Sequence, residues 1–199
     1  MKTGADEQRM RSEVNEFKKQ VAPEIILSTI FTSVLIFLSF YDYLPWKIVD
    51  NQHKNQLSFK RRYIFTLQLV FVDILPLLIC IFVVFNRRRQ TYAINPMDPR
   101  GEESVQALKG ILQNTLEQFI VKVTLSFLLS IVLYSNELML LPTFTFLFIL
   151  GRLTFALGYP THRSFGMTMN FLSVILVTCL ITYRLLLRPV LFSRYIYWK

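Results

Sequence analysis

The sequence has few of the residues that build disulfide scaffolds or metal centres. Its 199 residues include two cysteines, Cys80 and Cys179, and two histidines. The cysteines fall in separate apolar runs and have no C-x-x-C spacing, which argues against a disulfide framework and a zinc motif. They are expected to be buried structural thiols. His162 has no second histidine near it, so no metal set is expected and the residue reads as a solvated loop position. No N-x-[ST] sequon occurs, so glycosylation marks neither side of a membrane. Residues 1–20 carry charges of both signs and lack an apolar h-region, so a retained polar tail is expected rather than a signal peptide. Acidic residues are the minority: 13 Asp and Glu against 22 Lys and Arg, a net charge of +9.

What is abundant is apolar. Hydrophobic residues make up 53% of the chain and the mean hydropathy is +0.40. They gather in blocks about 20 residues long, which is the length that crosses a bilayer as a helix. Lys and Arg stand at the ends of these blocks. The basic surplus is therefore assigned to lipid headgroups and topology rather than to nucleic acid. The expected class is an all-α, polytopic membrane helical bundle with membrane lipids as its surroundings.

Five spans are read. A polar tail, 1–22, precedes a first span over 23–45, "PEIILSTIFTSVLIFLSFYDY" and its aromatic exit, with Pro23 suited to a first helical turn. Tyr41, Tyr43 and Trp46 fit an interfacial belt. The second span, 63–85, carries Asp73 and Pro76 near its middle, and the proline predicts a kink. The third covers 107–134, the fourth 138–157 and the fifth 165–187. Residues 191–199 alternate basic and aromatic side chains and are expected at the interface. Eleven Lys and Arg flank the spans on the side of the N-terminal tail and nine on the other. The run Arg87–Arg89 directly abuts a span, which leans the N-terminus to the cytosol.

Four ionisable residues lie inside spans: Asp73, Glu117, Lys122 and Arg152. Each costs on the order of 2.5–3.5 kcal/mol at a helix centre, so each is expected to face the bundle and find a partner. Asn114 and Glu117 are three apart on the third span and share a face. Arg152 is near the end of the fourth span, at similar depth, and Arg163 opens the fifth. Two readings follow. In one, Asn114, Glu117, Arg152 and Arg163 form an anion-binding pocket. In the other, Glu117 and Arg152 are an inter-helix tie and Arg163 snorkels to headgroups. Asp73 reads as a partner for backbone groups freed by Pro76 or as a proton-pathway residue. Lys122 reads as snorkelling or as reaching a neighbouring subunit. Gly151 and Gly158 permit close helix approach, Gly158-Tyr159-Pro160 reads as a helix stop, and Ser164 as an N-cap.

At "NTLEQF" and "GRLTFALGYPTHRSFG" the chain resembles the MAPEG superfamily, membrane-associated proteins in eicosanoid and glutathione metabolism. The likeness covers roughly residues 63–190. It rests on Asn114 and Glu117 opening one span, Arg152, Phe155, Gly158 and Tyr159 closing the next, and Arg163 starting the last. It implies a four-helix unit, here preceded by one extra transmembrane helix. It also implies a homotrimer binding glutathione between subunits, with Asn114, Glu117, Arg152, Tyr159 and Arg163 as ligand-binding candidates and Arg152 and Arg163 as catalytic ones. The sequence departs from the catalytic pattern at three places. Arginines expected four and seven residues before the Asn are Gly110 and Ala107, and a frequent tyrosine is Phe155. The extra span, "LLPTFTFLFILGRLTFALG" and "RSFG" resemble the mattrin-like five-span branch instead. That likeness implies a non-catalytic or lipid-handling protein of secretory, Golgi or lysosomal membranes, handling membrane-protein cargo. A glutathione-dependent transferase, isomerase or peroxidase is the alternative expectation.

Overall fold

The computed structural model describes residues 4–41, 43–44, 59–91, 99–134 and 137–187. The elements are α1 (Gly4–Phe40), α2 (Phe59–Asp73), α3 (Leu75–Arg89), α4 (Pro99–Val132), α5 (Leu140–Gly158) and α6 (Ser164–Thr182), the last continued by a π-helical turn over Tyr183–Leu187. Among the described residues, five stretches are long and apolar enough to cross a membrane: Val21–Phe40, Phe59–Arg89, Gly101–Val132, Leu140–Gly158 and Ser164–Leu186. The fold is an all-α membrane bundle, as the hydropathy blocks predict.

Local chemistry explains the breaks. α2 and α3 form one span interrupted at Ile74, two residues before Pro76. Proline lacks an N–H and its ring collides with the carbonyl four residues earlier, so the ladder yields there. α5 stops at Gly158, after which Tyr159 turns to extended backbone. The polar tail is part of α1. α1 starts at Gly4 and runs unbroken through Pro23. Once the apolar half is helical, the Glu-, Lys-, Arg- and Gln-rich half extends an existing helix and needs no nucleus of its own. Ser164 is not the cap either: Arg163 holds that position without a side-chain bond. The tail 191–199 lies outside the described residues.

α5 is the central helix. Leu141, Phe144, Leu147, Phe148 and Phe155 are buried along it. It packs against α6 most extensively and also against α2, α1 and α4. Two glycines bring α5 and α6 together. A Cβ added to Gly166 would fall on the Gly151 carbonyl oxygen and the Phe155 amide nitrogen, and one added to Gly151 would meet the Asn170 side chain. With no hydrophobic force between helices in lipid, the van der Waals packing that close backbone approach allows is one of the sources of attraction. α1 lies on the outer face of α6 and α5. The outward faces carry Phe71, Ile79, Phe82, Phe85 and Leu157, which hydrocarbon solvates without penalty.

Polar ties hold the ends. Thr143 donates to Ser39 Oγ at 2.9 Å, joining α5 to α1, and its hydroxyl also lies 3.0 Å from the Met139 carbonyl. Glu24 Oε1 lies 2.8 Å from His162 Nδ1, so His162, expected to be solvated, is exposed yet partnered. At the opposite end Arg184 donates to Glu137 Oε1 at 2.6 Å and stacks over Tyr134, while Arg62 donates to the Leu133 carbonyl at 2.6 Å. Inter-helix hydrogen bonds in membranes contribute about 0.6 kcal/mol on average and up to about 1.7. Thr143→Val should therefore lower unfolding stability in mixed micelles by about 0.5–1.5 kcal/mol. An unchanged transition would mean that the Ser39 contact contributes nothing to α1 docking.

Candidate functional site

The first polar site lies near the end of α5 on the side of the N-terminal tail. Arg152 is only 3% exposed, although it sits two turns from the helix end. Its Nη1 donates to Asn114 Oδ1 of α4 at 2.6 Å. Its Nε and Nη2 are buried without an acceptor among the described residues. The guanidinium lies 4.9 Å from the centre of the Phe155 ring. Phe155 meets Tyr159 edge-on at 5.9 Å, and Arg163 lies over the Tyr159 ring at 5.6 Å. The four side chains form one ladder of cation, ring, ring and cation at the exit of α5. Their spacing of three and four residues places Arg152, Phe155 and Tyr159 on one helix face.

Tyr159 also closes the gap to α4. Its hydroxyl would stand 3.1 Å from a Cβ placed on Gly110. The absent side chain at 110 leaves room for the tyrosine hydroxyl, and a methyl there would press it back slightly. Arg163 is exposed at the start of α6.

The expected Glu117–Arg152 ion pair is absent. Glu117 is exposed and accepts from Gln113 Nε2 at 2.7 Å within α4. Three residues on a helix leave about 60° between side chains. α5 covers the Asn114 side of that angle and leaves Glu117 outside. Asn114, Arg152, Tyr159 and Arg163 gather at one end of α5; Glu117 does not join them.

A second polar site lies deeper, where α2 breaks. Lys122 of α4 donates to Asp73 Oδ2, and to Thr145 Oγ1 of α5 at 2.8 Å. Thr145 Oγ1 lies 3.4 Å from the same Asp73 oxygen, and the ammonium sits 5.3 Å from the Phe144 ring centre. Asp73 and Lys122 are buried, at 0% and 1% exposure. Asp73 Oδ1 has no hydrogen-bond partner among the described residues. Lys122 therefore neither snorkels nor reaches another subunit, because its charge is met inside the chain. Sequence reasoning identified both residues as needing partners and missed that they are each other's. The available signal was sign: they are opposite charges within adjacent spans, each well inside its apolar block.

Cys80 is half-buried and Cys179 is exposed. Cys179 corrects the expectation of a buried thiol: at its position on α6 the lipid-facing surface, rather than the bundle, receives the side chain. Among the described residues, no group of three or more His, Cys, Asp or Glu is placed to hold a metal ion.

The profile of the MAPEG family matches residues 56–187. The match spans well over half of the chain, and the protein belongs to the MAPEG family. No curated protein and no solved structure matches it.

Proposed function

We propose that this MAPEG-family chain is a non-catalytic, lipid-handling membrane protein that holds an anionic headgroup at Arg152. One observation carries the reading: among the described residues, an almost fully buried guanidinium has two nitrogens without an acceptor and hydrogen-bonds only a neutral partner, Asn114. A buried cation in that condition gains most from an anion, and the planar fork of arginine suits the paired oxygens of phosphate or carboxylate. Depth favours a lipid. Arg152 stands six residues before the end of α5, about 9 Å along the axis, which is within reach of the headgroup layer. Tyr159 and Arg163 extend the site towards the surface, and Asn114 orients the guanidinium.

Three features weigh against glutathione chemistry. Gly110 and Ala107 replace the arginines that the resemblance implies, and Tyr159 fills the space over Gly110. Phe155 has no hydroxyl. Glu117 bonds Gln113 rather than facing the site. The rest of the reading rests on the family and on charge placement: a homotrimer in ER, Golgi or lysosomal membranes, a cytosolic N-terminus beside Arg87–Arg89, and membrane-protein cargo.

The second reading is a glutathione-dependent transferase, isomerase or peroxidase. The same open nitrogens favour it, since glutathione carries carboxylates and a positive neighbour stabilises a thiolate. Melting of the purified protein separates the two. Anionic phospholipid added to zwitterionic micelles is expected to raise the transition, and Arg152→Ala is expected to abolish the rise. A ligand at a hundred times its dissociation constant stabilises by about 2.7 kcal/mol if it binds only the folded state. A saturable rise with millimolar glutathione, lost in Arg152→Ala, would move the assignment to the enzyme. If neither addition shifts the melt, Arg152 is a strut bound to Asn114 and the ligand reading is wrong.

A further inference from the structure

A separate cavity lies at the other end of the bundle, where α1 meets the four-helix unit. Its volume is about 180 Å³. The floor is Leu129 of α4 with Phe144 and Leu147 of α5, all at or near zero exposure. Ile36 and Phe40 of α1 form one wall and Leu176 of α6 stands in the other. The mouth is marked by Phe40 and Leu176, exposed by 47% and 37%. Both belong to membrane spans, so the opening faces lipid tails rather than water.

We propose that this cavity binds the end of one acyl chain of a membrane phospholipid, in the leaflet opposite the N-terminal tail. Among the described residues, the lining offers no free polar group. Its one hydroxyl, Thr143, is already engaged with Ser39 and the Met139 carbonyl. A charged or hydrogen-bonding ligand would therefore be desolvated without return. Size selects among apolar ligands. A cavity of about 150 Å³ lined by apolar side chains admits a benzene-sized group, whereas drug-sized molecules need about 300 Å³ or more. The space thus fits several carbons of a flexible chain and excludes a whole fused-ring lipid.

Shape and position agree. From Leu140 to Leu147 the lining follows α5 for about 10 Å, the rise of seven residues. It starts at the membrane boundary, where Phe40 ends α1 and exposed Tyr41 and Tyr43 follow. A lipid with its headgroup beside those tyrosines would lay its chain inward past Phe40. The bound chain packs α1 against α5 and α6, so the extra helix is docked partly through lipid. This site is independent of the Arg152 reading, which concerns the opposite end of the same helices, and either can fail alone.

The test uses the full chain in nanodiscs containing phosphatidylcholine with a diazirine near the end of one acyl chain. After photolysis, labelled peptides are mapped. Labelling is expected to concentrate on Ile36, Phe40 and Leu176. It should fall at least fivefold at Ile36 and Phe40 in Leu176→Trp, which fills the mouth, and stay unchanged in Ile79→Trp on the exposed face of α3. Ile36→Trp, from the other wall, should reduce the labelling of Leu176 in the same way and guards against a misfolded first variant. Labelling spread evenly over all lipid-facing helices would overturn the proposal. So would labelling that persists in both filled variants, or cross-links showing a second copy's helix in the cavity. The anionic-lipid melting shift at Arg152 should be the same in Leu176→Trp as in the unaltered protein, which keeps the two sites distinguishable.

Discussion

Asp73→Asn or Lys122→Met, each made alone, should be among the most destabilising single changes in this protein. Breaking a buried ion pair leaves the other charge uncompensated and costs about 3–5 kcal/mol in protein interiors. Here the survivor would be poorly served. Among the described residues, Lys122 would keep Thr145 and the face of Phe144, and Asp73, with Oδ1 already unpartnered, would keep only a long contact to Thr145. The double variant Asp73→Asn, Lys122→Met should recover most of the loss, because two near-isosteric neutral groups need no counter-charge. Unfolding free energies in mixed micelles would read the cycle. If the two single changes and the double change simply add, the residues do not interact in the membrane and the pair is incidental. The pair joins the α2 break to α4, and Thr145 ties it to α5, so its loss should also loosen the kink at Pro76.

Gly166→Ala is expected to have the next largest effect, on the order of 1–3 kcal/mol or more for overpacking a well-packed site. The reason is what the new methyl group would meet. At Gly166 it meets backbone, the Gly151 oxygen and the Phe155 nitrogen, and backbone atoms in two locked helices cannot step aside. The same change at Gly151 meets the side-chain amide of Asn170, which can rotate away from its bond to the Gly166 carbonyl. At Gly110 it meets the end of the Tyr159 side chain at 3.1 Å. The expected order of destabilisation is Gly166, then Gly151, then Gly110. Melting temperatures of the three variants in one detergent would check it. A Gly166→Ala protein as stable as the parent would mean that α5 and α6 slide freely, and that the Arg152 ladder on α5 is not held in register by α6.

The consequence for function runs through α5. One helix carries Thr145 of the deep ion pair, Arg152 and its ring ladder, and the floor of the apolar cavity. Its neighbours on every side fix its rotation. A change in that rotation would move all three sites together.

The number of spans, the all-α class, the break near Pro76 and the stop at Gly158 were legible in the sequence alone. Each is a local property. Hydropathy sums over about twenty successive residues, and proline or glycine acts on its own turn. The family was legible for a related reason, since residues such as Asn114, Arg152 and Tyr159 keep a fixed order along the chain. The tertiary structure decided everything that depends on how one helix is rotated and slid against another. It joined Lys122 to Asp73 across 49 residues. It gave Arg152 to Asn114 rather than to Glu117, which lies about 60° away around α4. It laid Tyr159 over Gly110 and left a cavity beside the extra helix. Opposite charges in different spans can pair in several ways that hydropathy does not distinguish. Close backbone contacts, above all Gly166 against Gly151, select one of them by setting depth and rotation together.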